Sequence, residues 1–176
     1  MTPRRRRWLL AGAGLGALAA GAGLAWLRYR PAAPDATAVV FGRVFDDADG
    51  RPQPLSQWRG RWIVLNFWAT WCAPCVEEMP TLQQAARNYG ARGVTVVGVG
   101  IDNAGAIRRF RDELKLDLPL LVAGVGGSEL ARELGNPSGS LPYTVLISPQ
   151  GRIEQTHLGL LKPELLRSWL DARLTG

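Results

Sequence analysis

Residues 62–68, Trp-Ile-Val-Leu-Asn-Phe-Trp, are apolar at every position but one. Such a run lacks the two-residue alternation of a half-solvated strand and predicts a central strand buried on both faces. Val94 to Ile101 repeats the pattern with β-branched residues. Other segments follow helical spacing. A helix is expected from Cys72 to about Tyr89, with Pro80 kinking it and Gly90 as its stop. Ala104 to Lys115 reads as a helix with a charged face, Ser128 to Leu134 as a short helix capped by Ser128, and Pro163 to Leu174 as a closing amphipathic helix with proline in its first turn. Shorter strands are predicted at Val39–Phe45, Leu118–Val122, Tyr143–Ser148 and Arg152–Leu158. A turn at Asp46–Gly50 follows the first, and a turn or helical piece lies at Leu55–Arg59. The order strand–helix–strand–helix, then a hairpin and a helix, predicts an α/β fold: a mixed central sheet flanked by helices.

The first thirty residues belong to a different pattern. Arg4 to Arg7 form a basic start, and no charged residue occurs from Trp8 to Leu27. At helical rise that stretch spans roughly 30 Å, the thickness of a bilayer's hydrocarbon core. Trp8, Trp26 and Tyr29 stand at its two ends, where aromatic rings prefer the interface. Residues 1–30 are thus read as a cytoplasmic tip and transmembrane signal-anchor, residues 31–37 as a linker, and residues 38–176 as the folded domain. The arginine bias keeps the N-terminus in the cytoplasm and places the domain on the other side of the membrane. A cleaved signal peptide is the competing reading, since Ala17 and Ala19 offer small residues for cleavage. Retention is favoured because the apolar run exceeds a usual signal core.

Charge changes the picture once it is mapped. The net charge is +6, but residues 1–30 hold six arginines and no acid, so the basic and acidic residues of 31–176 cancel. The domain therefore lacks the basic footprint that nucleic-acid binding requires. The chain has only two cysteines, Cys72 and Cys75. A bridge across so short a loop restricts the unfolded chain little, which argues against a purely structural role.

Their position carries more information than their spacing. Trp71-Cys72-Ala73-Pro74-Cys75 falls where the buried strand ends and the helix begins. A thiolate there meets unpaired backbone N–H groups and the positive end of the helix dipole, which lower its pKa. Cys72 is expected to be exposed and to attack. Cys75, on the same helical face, is expected beneath it as the resolving thiol. Glu78 lies one turn further on, where a carboxyl can accept or return the proton of exchange; the plainer reading is a solvated helix residue. Leu141-Pro142 precedes a predicted strand, and X–Pro bonds are mostly trans.

The stretch from Leu55 to Cys75, above all Phe67-Trp68-Ala69-Thr70-Trp71-Cys72-Ala73-Pro74-Cys75, resembles the signature of the TlpA/ResA-like thioredoxin family. The likeness continues at Glu78, Pro80, Leu141-Pro142 and Gly151, over roughly residues 38–174. It implies a thioredoxin-like fold, dithiol–disulfide exchange with no bound cofactor and no metal, and a domain tethered at the periplasmic face of a bacterial inner membrane. It further implies Pro142 in cis, Glu78 as the acid near the cysteines, and Trp71, Pro74, Leu141 and Pro142 as the substrate-facing surface. The implied partners are an exported thiol or disulfide protein, apocytochrome c among them, and a membrane transporter of thiol reducing equivalents; a monomer is expected. Where ordinary thioredoxin has a buried aspartate this chain has Asn66, which cannot titrate, so acid–base work moves to Glu78. Two alternatives stay open: a copper-binding metallochaperone, if His157 approached the dithiol, and a thiol peroxidase.

Overall fold

A computed structural model describes residues 37–174. Its elements in chain order are α1 (Thr37–Phe41), β1 (Val44–Asp47), β2 (Pro52–Pro54), a 3-10 turn (Leu55–Trp58), β3 (Trp62–Trp68), α2 (Ala73–Tyr89), a second 3-10 turn (Gly90–Arg92) and β4 (Val94–Gly100). They continue with α3 (Ala104–Leu114), β5 (Leu120–Val122), α4 (Gly124–Glu133), β6 (Tyr143–Ile147), β7 (Ile153–Leu158) and α5 (Pro163–Leu174). Among the described residues the strands form one sheet in the order β2-β1-β5-β4-β3-β6-β7. β3 runs parallel to β4 and antiparallel to β6, so the sheet is mixed, as expected. Among these residues no helix is long and apolar enough to cross a membrane. The expected span at residues 8–27 lies outside them.

β3 divides its side chains between two cores. Ile63, Leu65 and Phe67 join Val97, Val99, Val145 and Leu130 on one face. Val64 and Trp68 join Met79, Leu82, Val96 and Leu170 on the other. Asn66 shares that second row by alternation, and this turns its amide toward α2. Glycine in a strand interior is usually a weakness. At Gly98 it is a necessity: an added Cβ would lie 2.6 Å from the Leu120 side chain and 2.9 Å from Trp68 Nε1.

Two expectations need correction. The first strand was placed at Val39–Phe45, but residues 37–41 are helical and β1 starts at Val44. Val40 and Phe41 are buried in the first of these cores, with Ile63 and Leu65, as a helical turn. The strand instead extends into the aspartates assigned to a turn, because Asp47 Oδ1 accepts from the N–H groups of Asp49 and Arg51, both at 2.9 Å, and so satisfies the turn itself. α4 begins at Gly124 and not at Ser128. Its glycines are poor helix formers. Packing overrides propensity there, since a Cβ on Gly127 would come within 2.9 Å of Ala123 Cβ and 3.3 Å of Val99. α2 ends at Tyr89 with Gly90 as its C-cap, as expected, and the 3-10 turn that follows closes at Gly93, at φ 87°.

Filling the Gly98 site should therefore overpack a closed core. Gly98→Val is expected to destabilise the domain by about 1–3 kcal/mol, read as a lower urea midpoint at unchanged slope.

Candidate active site

The dithiol is built from the end of β3. Ala69, Thr70 and Trp71 form the turn out of the strand, and the Cys72 N–H donates to the Ala69 carbonyl at 3.2 Å. Cys72, where the helix was expected to begin, is the N-cap of α2 in extended conformation, and the helix starts one position later at Ala73. Its carbonyl accepts the Val76 N–H at 3.1 Å. Pro74 occupies the first turn, where its missing N–H leaves no bond unmade. Cys72 and Cys75 are joined in a disulfide, with Cα atoms 5.2 Å apart. Cys75 is fully buried, as predicted. Cys72, expected to be exposed, is only 7% so, and is the outer member of the pair.

Glu78 is not the solvated residue of the plainer reading. It is 1% exposed. Its Oε1 accepts from Asn66 Nδ2 at 2.7 Å, and its Oε2 accepts from the Leu161 N–H at 2.7 Å. Asn66 Nδ2 also donates to Thr144 Oγ1 at 2.9 Å. Burial raises the Glu78 pKa from its ordinary 4.5 to about 7, against the opposing pull of the Leu161 and Asn66 donors. An acid poised there can take up and return a proton at neutral pH.

The expected substrate-facing residues sit on three segments. Trp71 is strongly exposed, at 69%, and Pro74 is exposed beside it. Leu141 and Pro142 are linked by a cis peptide bond at the entry to β6. The Pro142 carbonyl accepts from the Gly159 N–H at 2.8 Å. The loop before it is ordered by Asn136, whose Nδ2 donates to the Ser140 carbonyl at 2.9 Å. His157 is half-buried: its Nε2 lies 3.2 Å from the Leu160 carbonyl and its ring stands edge-on to Trp169. Among the described residues no group of three or more His, Cys, Asp or Glu side chains is placed to hold a metal ion.

One contact was not anticipated. Asp102, just past the end of β4, accepts through Oδ2 from the Thr70 N–H and hydroxyl. Its Oδ1 accepts from the Asn103 N–H at 2.8 Å. The carboxylate therefore ties the turn before the dithiol to the neighbouring strand. Its sequence signal is weak, a single acid at the end of an apolar run.

This geometry can be set beside known proteins. Residues 30–156 match the AhpC/TSA family. The thiol-disulfide oxidoreductase ResA of Oceanobacillus iheyensis is 32% identical over 145 residues, covering 82% of this chain and 72% of that protein. The chain belongs to the AhpC/TSA family and is a ResA-like thiol–disulfide oxidoreductase. ResA of Bacillus subtilis is 25% identical over 131 residues, 73% of this chain and 70% of that one. Among solved structures StoA from Bacillus subtilis aligns with a TM-score of 0.60 at 26% identity, over 73% of this chain and 95% of that one. These likenesses establish the thioredoxin-like α/β architecture and the class of chemistry for this ResA-like chain.

Two outcomes follow from the site. A carboxyl whose pKa rises on folding is neutral in both states below pH 4.5, ionises first in the unfolded chain between pH 4.5 and 7, and opposes folding fully above 7. Glu78→Gln removes that titration. Relative to wild type, its unfolding free energy should rise by on the order of 3 kcal/mol across this interval, measured by urea denaturation with the disulfide intact. Asp102→Ala frees the Thr70 turn and should slow exchange by about tenfold with little change in melting temperature.

Proposed function

We propose that this oxidoreductase is a reductase of disulfides in exported proteins, with Cys72 as attacking thiolate, Cys75 as resolving thiol and Glu78 as proton carrier. The observation that carries the reading is a buried, neutral-range carboxyl one helical turn from a disulfide whose outer sulfur belongs to the helix N-cap. In the reduced enzyme the Cys72 thiolate attacks one sulfur of a substrate disulfide. That S–S bond breaks, a mixed disulfide forms, and the departing substrate thiolate takes a proton. Cys75 then gives its proton to Glu78 and attacks the Cys72 sulfur, so that the Cys72–Cys75 bond forms as the second substrate thiolate leaves. Two electrons pass to the substrate, and the enzyme ends in the disulfide state of this structure.

Trp71, Pro74, Leu141 and Pro142 are the surface on which an extended substrate segment would lie; the exposed indole and Pro74 beside it support this. The likeness to ResA-like proteins and the apolar run at residues 8–27 support a further reading. Residues 1–30 anchor the enzyme in a bacterial inner membrane, residues 31–37 are a linker, and the domain from residue 38 works in the periplasm. There it reduces apocytochrome c before haem attachment, recharged by a membrane transporter of thiol reducing equivalents.

The reduction potential of the Cys72–Cys75 couple tests the direction of exchange. A value near −270 mV is expected for a reductant, and one near −120 mV would make the protein an oxidant. Cys75→Ser should accumulate a mixed disulfide with an oxidised Cys-x-x-Cys-His peptide, whereas Cys72→Ser should form none. Equal trapping by both variants would reverse the assignment of roles.

A further inference from the structure

The Asn66 amide uses both of its hydrogens and leaves its oxygen idle. Nδ2 donates to Glu78 Oε1 and to Thr144 Oγ1, while Oδ1 is buried without a partner among the described residues. A buried carbonyl left unpaired is unusual, and it implies that the other orientation is worse. We propose that Asn66 is a positioning residue whose amide orientation decides which protonation state of Glu78 the site accepts, and that Thr144 holds that orientation. The inference deepens the reading of Glu78 as the proton carrier and rests on it.

The donors and acceptors around Glu78 set this bias. With Glu78 ionised, Oε1 accepts from Asn66 and Oε2 accepts from the Leu161 N–H, each at 2.7 Å. Neither oxygen takes a proton without weakening a charge-assisted bond. A proton on Oε1 along the Asn66 direction would set O–H against N–H, and only a half-turn of the amide relieves the clash. Oδ1 would then accept from Glu78, and the Thr144 hydroxyl could reverse its role and donate to the same oxygen. The half-turn, however, moves the NH₂ group to where Oδ1 now lies unpartnered. Stranding two buried donors is costlier than leaving one carbonyl idle. The arrangement thus biases Glu78 toward its ionised form, against the burial that favours the neutral one.

Other charged or titratable groups lie at the edge of the site. Cys72, Cys75 and Glu77 come from the same end of α2. Lys162 and Glu164 line, with Glu77 and Glu78, a cleft of about 320 Å³ between α2 and the start of α5. His157 is turned to the Leu160 carbonyl. Asn66 and Thr144 do not titrate, so the bias they exert is constant across pH. An aspartate at position 66 would behave otherwise, as a second acid sharing a proton with Glu78.

The test is the pH profile of exchange between the reduced full chain and a small-molecule disulfide. Glu78→Gln should remove the limb due to the carboxyl. In the wild-type background Asn66→Ala should move that limb's midpoint upward by about one pH unit. Thr144→Val should move it upward by less, and Thr144→Ser, which keeps the hydroxyl, should leave it in place. In the Glu78→Gln background neither Asn66→Ala nor Thr144→Val should move any midpoint. If Asn66→Ala does not fold, the valine and serine variants at 144 decide the matter. Equal midpoints for those two, with the limb still lost in Glu78→Gln, would overturn the inference and leave the role of Glu78 standing. Persistence of the limb in Glu78→Gln would overturn both.

Discussion

β3 has a hydrogen-bonded neighbour on each edge and a packed core on each face. β4 matches it in parallel register from Trp62 to Trp68, and β6 pairs with it antiparallel from Ile63 to Phe67. A strand so enclosed cannot shift by one residue without turning Ile63, Leu65 and Phe67 out of one core and Val64, Asn66 and Trp68 out of the other. The chain must therefore leave the sheet at a set place. Cys72, four residues beyond Trp68, meets the start of α2 there, and the rest of the site is arranged around that point.

The buried carboxyl depends on the same constraint. Asn66 points toward α2 because it shares the face of Val64 and Trp68. Glu78 lies one turn beyond Cys75 and so meets the Asn66 amide while α2 packs down through Met79 and Leu82. Removing a carboxylate from water is expensive, and two donors at 2.7 Å compensate only in part. Burial therefore still holds its pKa up, at about 7. Stability is thus given up at neutral pH for an acid that can exchange a proton there, a trade commonly concentrated at working sites.

At the surface, charge does less. Arg111 bridges Asp49 at 2.9 Å, and Arg108 donates to the Ala48 carbonyl, so α3 is stitched to the β1–β2 hairpin. The Arg87–Asp117 pair is largely exposed, and such pairs contribute little in water. None of these pairs includes a residue of the dithiol turn, whose own side-chain tie is from Thr70 to Asp102.

Much of the site was legible from the chain alone. Cys72 and Cys75 stood out because a cysteine pair at a strand-to-helix junction meets the N–H groups of the helix start, and Glu78 because a residue three positions on shares their helical face. β3, α2 and α5 were recognisable because long periodic or unbroken apolar segments override local ambiguity. The sequence also determined that residues 31–176 carry no net charge. Other features were settled only by packing. Residues 37–41 are helical because Val40 and Phe41 bury better as a turn, and α4 starts at Gly124 because close approach to β4 outweighs glycine's poor propensity. The pairing of Asn66 with Thr144, the reach of the Leu161 N–H to Glu78 and the tie from Asp102 to Thr70 join residues 32 to 83 positions apart. Local pattern holds no record of such contacts, since they exist only once the sheet order has brought β3, β4 and β6 side by side.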